Sequence, residues 1–318
     1  MKALVTGVAG FIGSSIAEKL VTDGFDVVGI DSLTDYYSQD VKRTNLVRIE
    51  GDINLVEDDI NSADLDSLLS GVDYIFHQAG QPGVRSSWGK EFELYTERNI
   101  NATQRLLEAS KRSRTLKKFV YASSSSVYGD AKSYPTSERD LPQPRSPYGV
   151  TKLAAEHLCS LYADNFGVPT VSLRYFTVYG PRQRPDMAFQ RFITAALNKS
   201  TISIYGDGYQ VRDFTFIDDI VQANILAAKA ECKPGTVVNI SGGSNVSVRD
   251  VLSILEKLAD DDLRVEYSDA VPGDVRRTGG DASAAESLLG WTPKVTIESG
   301  LEQHFEFLQS KLDIRGEK

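Results

Sequence analysis

Apolar residues along this chain fall into two alternating patterns. Lys2–Thr6 carries a continuous apolar run of strand length. Phe11–Thr22 follows it, with Phe11, Ile12, Ile16, Leu20 and Val21 on one side of a helix that Gly24 closes. Further strand-like runs lie at 27–30, ending at Asp31, and at 46–49, Tyr74–His77, 118–122 and Thr170–Tyr175, with helical stretches between most of them. Strand and helix alternating over about 175 residues predict a parallel sheet covered on both faces, since parallel strands need crossovers that lie against the sheet. Beyond Phe176 the pattern loosens into Gly- and Pro-containing loops, with helical segments at about 186–198, 216–231, 247–260 and 296–311. That half suits the shaping of a pocket better than a second independent sheet.

Composition narrows the picture. The chain has 318 residues, enough for about two domains, and 41% of them are hydrophobic, which supports a real core. Its 44 acidic and 35 basic residues leave a net charge of −9, so a general surface for nucleic acid or anionic membranes is not expected. No apolar run reaches the roughly 18–20 residues that span a bilayer, and a glycine turn interrupts the first one, against a secretion signal. The two cysteines, Cys159 and Cys232, are too few for a disulfide framework, and neither they nor His77, His157 and His304 have metal-ligand spacing. A reducing, cytoplasmic setting without a metal site is expected.

Two constellations carry chemistry. Gly7-Val8-Ala9-Gly10-Phe11-Ile12-Gly13 joins the first strand to the first helix, where backbone amides can receive a dinucleotide pyrophosphate. Asp31 ends the next strand, and a carboxylate there binds both ribose hydroxyls and repels a 2′-phosphate, favouring NAD over NADP. Tyr148 and Lys152 stand four apart at the start of an alanine- and leucine-rich helix, so that the ammonium lies near the phenol and makes phenolate accessible. Upstream, Ser123-Ser124-Ser125-Ser126 directly follows an apolar run, placing hydroxyls at a strand's carboxyl end, where ligands of open α/β sheets bind.

With Leu173-Arg174-Tyr175-Phe176-Thr177-Val178-Tyr179-Gly180-Pro181 and Tyr205-Gly206-Asp207-Gly208 added, these motifs resemble, nearly end to end, the nucleotide-sugar epimerases and dehydratases of the extended short-chain dehydrogenase/reductase superfamily. The resemblance implies an α/β fold. A Rossmann-type doubly wound parallel sheet would occupy residues 1–175, with return segments from about 209–236, and a smaller interleaved α/β substrate-binding lobe would come mainly from 176–318. It implies NAD held by Gly7, Gly10, Phe11, Ile12, Gly13, Asp31, Gln78, Ala79, Gly80, Asn99, Tyr148 and Lys152, with Asp52 and Ile53 flanking adenine. Ser124 and Tyr148 would meet the sugar O4, Arg212 the pyrophosphate of the sugar nucleotide, and Asp274 and Arg276 its nucleoside half. Members commonly pair through two helices per subunit, here about 90–112 and 148–166, so a homodimer is expected.

The shared opening step of the family is removal of the O4 proton by the tyrosine while C4 passes hydride to NAD. Dehydratases then use Asp-Glu after the catalytic Ser/Thr, and UDP-glucuronate decarboxylases a Glu before Val-Tyr-Gly. Ser125 and Ser126 stand there instead and cannot act as strong acids or bases. The expected outcome is 4-epimerisation. Arg85 within Gln81-Pro82-Gly83-Val84-Arg85, and Arg184 within Arg184-Pro185-Asp186-Met187, resemble elements of UDP-glucuronate 4-epimerases. Ser124, Ser125, Ser126 and Thr177 would be neutral donors to the C6 carboxylate, each charged hydrogen bond worth about 1.5–3 kcal/mol. UDP-glucuronate is the favoured substrate. A neutral UDP-hexose comes next, then UDP-glucuronate decarboxylation, and last a non-catalytic NAD-binding scaffold.

Overall fold

The computed structural model describes residues 1–131, 133–269 and 275–316. Six strands come from the first half: β1 (Lys2–Thr6), β2 (Asp26–Ile30), β3 (Asn54–Val56), β4 (Tyr74–His77), β5 (Lys118–Ser124) and β6 (Thr170–Tyr175). The second half adds β7 (Thr177–Tyr179), β8 (Ile202–Tyr205), β9 (Val211–Arg212), β10 (Phe214–Phe216), β11 (Thr236–Ile240), β12 (Val246–Ser247) and β13 (Val265–Ser268). Seven of these form one parallel sheet in the order β11-β6-β5-β4-β1-β2-β3. The order reverses between β1 and β4, which opens a crevice at their carboxyl ends.

Alternating side chains of the strands feed two cores. Ala3, Val5, Phe76, Val120 and Val171 pack on one face with residues of the helices Phe11–Thr22 and Ile217–Lys229. Leu4, Val28, Ile75, Phe119 and Tyr121 pack on the other with Ala102–Ser110 and Pro147–Phe166. Both faces are covered, so the strands read as continuous apolar runs.

The second half is interleaved with the first. β11 begins at the end of the expected return segment and takes the sheet edge beside β6. The remaining strands form pairs, β7 with β10, β8 with β13 and β9 with β12, and the rings of Tyr179, Phe189, Phe214 and Phe216 pack together at the first of them.

The strand expected at 46–49 is not formed. Those residues end the helix Gln39–Val47 and begin the loop after it. The Ser38 side chain caps that helix on Asp40 N at 3.2 Å, and Asn45 Nδ2 donates to Ala9 O at 3.1 Å. Leu46 and Ile49, three apart, pack against the core as one helical face continued into a turn. The third strand is the three-residue β3 at the sheet edge.

Candidate active site

The crevice is floored by the turn after β1. Gly7 adopts φ +67°, and its amide donates to Ile30 O at 2.8 Å, while its carbonyl accepts from Gly10 N at 3.0 Å. A Cβ on Gly13 would stand 2.1 Å from Gly7 O, and one on Gly7 would stand 2.9 Å from the Ala79 backbone. The turn therefore admits no side chain at these places, and the Phe11–Thr22 helix begins with no side-chain cap on its amides. Asp31 accepts from Ala9 N at 3.0 Å with one oxygen and from Leu33 N at 2.8 Å with the other, so its position is set from two sides. Amides free to meet phosphate, a backbone that allows close approach and a fixed strand-end carboxylate fit a bound dinucleotide.

Gln78, Ala79, Gly80 and Asn99 line the same cleft with Gly7, Gly10, Phe11, Ile12, Gly13 and Asp31. Asn99 lies in a π-helical turn, Thr96–Asn101, an irregularity frequent at functional sites. Its carboxamide accepts from Gln81 N at 2.7 Å and donates to Thr151 Oγ1 at 2.9 Å, tying the loop after β4 to the Pro147–Phe166 helix.

Asp52 and Ile53 do not line the cleft. They precede β3, at its amino end, where Asp52 is exposed and Ile53 packs against the core. Asp59 and Ile60, beyond the carboxyl end of β3, line the cleft in their place. The displacement follows from the misplaced third strand, because the crevice collects residues from carboxyl strand ends. Tyr36, Tyr37, Lys42 and Arg98 also line it and were not anticipated. The two tyrosines and Lys42 follow Asp31 within a dozen residues, which was the available signal.

Tyr148 enters the cleft from the first turn of the Pro147–Phe166 helix, whose start is capped by Ser146 Oγ on Gly149 N at 3.1 Å. Burial raises the phenol above its ordinary range, while a hydrogen bond with the Ser124 hydroxyl and the nearby Arg184 guanidinium draw it back down. Arg184 is thus one cation that bears on the phenol. Lys152 points its Nζ over the Tyr121 ring at 4.5 Å, and burial lowers its ammonium to about 8. Arg184 is held by both oxygens of Asp186, at 3.0 and 2.9 Å.

Ser124 ends β5, and its hydroxyl also accepts from Ser126 N at 3.1 Å. Of the serine run, Ser123 lines the cleft; Ser124, Ser125 and Ser126 are not in its lining, the last two part-buried in the 3-10 turn that follows β5. Thr177 opens β7, also part-buried. Arg85, Arg212 and Arg276 stand outside the cleft wall, around the loop between β8 and β9. Arg85 lies over the Tyr205 ring at 4.4 Å, Arg212 donates to Val211 O at 3.0 Å, and Arg276 pairs with Asp207 at 3.2 Å. Asp274 lies outside the described residues. His77 bonds Thr6 and Thr103 through its two ring nitrogens, and among the described residues no group of three His, Cys, Asp or Glu side chains could hold a metal.

Residues 4–304 match the family model described as GDP-mannose 4,6 dehydratase. The chain belongs to this family of nucleotide-sugar epimerases and dehydratases. It is similar to the "Uncharacterized UDP-glucose epimerase YtcB" of Bacillus subtilis, 45% identical over 98% of both chains. A UDP-glucuronate 4-epimerase of Thermodesulfobacterium geofontis is 37% identical, over 98% of this chain and 97% of its own. Among solved structures, the UDP-glucuronic acid 4-epimerase of Bacillus cereus, in complex with UDP-glucuronic acid and NAD, is 44% identical with a TM-score of 0.94, over 98% of this chain and 100% of its own. That match spans both the sheet and the lobe.

Proposed function

We propose that this chain catalyses the NAD-dependent 4-epimerisation of UDP-glucuronate to UDP-galacturonate. The observation that carries the reading is Tyr148, hydrogen-bonded to Ser124 in the cleft that also holds the glycine turn and Asp31, with hydroxyls at Ser125 and Ser126 where elimination or decarboxylation needs carboxylates. When bound, NAD supplies a reversible acceptor for the C4 hydrogen together with a positive charge. Gly7, Gly10 and Gly13 would hold its pyrophosphate, Asp31 the adenosine ribose and Lys152 the nicotinamide ribose.

Tyr148 takes the O4 proton and later returns it, Ser124 orients the O4 hydroxyl, and Arg184 favours the phenolate. The 4-keto sugar turns over between the two transfers, so C4 regains its hydrogen and electron pair on the opposite face while Tyr148 returns the O4 proton, and no net redox change results. Ser125, Ser126 and Thr177 hold the C6 carboxylate without offering a proton to a developing enolate, which protects the β-keto acid from losing carbon dioxide. Arg85, Arg212 and Arg276 serve the UDP half. Guanidinium forks suit adjacent phosphates.

The division of labour follows the two halves, residues 1–175 with a return segment for the cofactor and 176–318 mainly for the sugar nucleotide. No helix of the described residues is long and apolar enough to cross a membrane, and a cytoplasmic enzyme fits the two free cysteines. Val150, Leu161 and Phe166 are exposed on the Pro147–Phe166 helix, which supports a homodimer through 90–112 and 148–166.

A second reading, an epimerase for neutral UDP-hexoses, draws on the relative named for UDP-glucose. Incubation with UDP-glucuronate, UDP-glucose and UDP-N-acetylglucosamine, followed by product separation, decides between them. Tyr148→Phe is expected to abolish nearly all turnover while NAD stays bound. Retained turnover refutes the assignment of the base.

A further inference from the structure

Behind the serine run lies a buried ionic cluster that the reaction above leaves unused. Tyr148, Lys152 and Glu156 follow one another at four-residue steps on the Pro147–Phe166 helix and share one face. The Glu156 carboxylate receives both arms of Arg174, Nε at 2.9 Å and Nη2 at 2.6 Å, and the Ser123 hydroxyl at 2.6 Å. The remaining arm of Arg174 donates to Tyr128 Oη at 2.6 Å, and that phenol donates to Asn239 Oδ1 on β11 at 2.7 Å. Both charged side chains are at most 5% exposed. Buried pairs of this kind are weak stabilisers, since apolar side chains of similar volume commonly serve the fold as well. Their retention points to what the carboxylate faces.

That neighbour is Lys152, itself only 6% exposed. Around its ammonium stand the Tyr121 ring on β5, His77 on β4 and Gly80 on the cleft wall, with Cys159 and Glu156 on its own helix. Burial drives the ammonium towards losing its proton. Cys159 and Glu156 oppose this. Cys159 does so only as a thiolate, and burial pushes its thiol far above neutral pH. His77 is kept neutral by burial, and Tyr148 is neutral at rest. Glu156, whose two oxygens both accept from Arg174, is the one carboxyl group of that shell.

We propose that Glu156 is a positioning residue which, held by Arg174 and Ser123 one helical turn behind Lys152, keeps that lysine protonated as it takes up the nicotinamide ribose. The proposal rests on the reading of Lys152 as a cofactor-holding cation. An oxidised nicotinamide is positive and disfavours an ammonium near it, so the counter-charge matters most when the cofactor is bound.

The test compares wild type, Glu156→Gln, the double variant Glu156→Gln/Arg174→Met and Glu156→Asp. The pH dependence of kcat/KM for UDP-glucuronate and that of NAD affinity are measured on each. The alkaline midpoint is expected to fall by about one pH unit in Glu156→Gln. It should move in the same direction in the double variant, which leaves no unpaired guanidinium, and return towards wild type in Glu156→Asp. A purely structural role lowers activity or stability at every pH and leaves the midpoint in place. Should Glu156→Gln alone fail to fold, the double variant carries the test. An unchanged midpoint in a folded double variant overturns the proposal. If the wild type turns over no sugar nucleotide, the proposed function fails, and the NAD-affinity midpoint still decides the question of Glu156.

Discussion

Gly13→Ala probes the cofactor cradle most directly. The added Cβ would stand 2.1 Å from Gly7 O, 2.8 Å from Gly7 C and 3.1 Å from Val8 Cα, all backbone atoms. The first of these lies more than about 1 Å inside the roughly 3.5 Å at which such atoms meet comfortably. Gly7 cannot retreat, since its amide and carbonyl are bonded to Ile30 and Gly10 and the Ala79 backbone stands 2.9 Å from where its Cβ would be. The first turn of the Phe11–Thr22 helix must tilt away instead, and overpacking of this sort costs about 1–3 kcal/mol. Because the amides that tilt are those facing the pyrophosphate, NAD affinity should fall by about tenfold or more. Gly10→Ala is the control. Its Cβ would meet the same oxygen at 3.1 Å, a shortfall of a few tenths of an ångström, and its loss should be smaller. Calorimetric titration of apo-protein with NAD, alongside urea unfolding of each variant, measures both effects. If Gly13→Ala binds NAD within about twofold of wild type, the cradle has been wrongly assigned.

Lys152→Met should stabilise the apo-protein at neutral pH while abolishing activity. The ammonium is lowered to about 8 in the folded chain against roughly 10.4 when unfolded. Below about pH 8 both states carry the proton, so the folded state bears the full cost of burying it. Between about 8 and 10.4 the unfolded chain binds the extra proton, and stability rises with pH. Removing the amine is therefore worth about 1–3 kcal/mol at pH 7, an advantage that shrinks as the pH approaches about 10. Urea midpoints lower than wild type at pH 7 would contradict this account. Ser126→Glu should divert turnover of UDP-glucuronate towards decarboxylated products, 4-ketopentose or xylose nucleotides, seen on product separation. No increase in those products would show that the serine run does not guard the carboxylate.

Much of the site was legible because its chemistry is local. The glycine turn, Asp31, the serine run and the Tyr148/Lys152 pair each lie within a few residues of a strand or helix end, and spacing alone places them on one side of a parallel sheet. Where the reading slipped, a secondary-structure boundary had moved. Residues 46–49 are apolar enough for a strand, but Ser38 caps a helix that reaches them, and with the true β3 it is Asp59 and Ile60, not Asp52 and Ile53, that line the cleft. The contribution of β11 to the sheet was also hidden, since five residues late in a loop-rich half carry no mark of their partner.

Sequence by itself determined the class of chemistry: a dinucleotide turn, a phenol with a lysine one helical turn away, and hydroxyls where eliminating enzymes keep carboxylates. These are properties of residue type and short spacing. Tertiary structure decided which charges act on which groups. Arg184, 36 positions beyond Tyr148 in the sequence, partly offsets the burial that raises its phenol, and Arg174 on β6 holds Glu156 one helical turn beyond Lys152. Electrostatic effects depend on distance through a low-dielectric interior, and only packing brings such residues within reach.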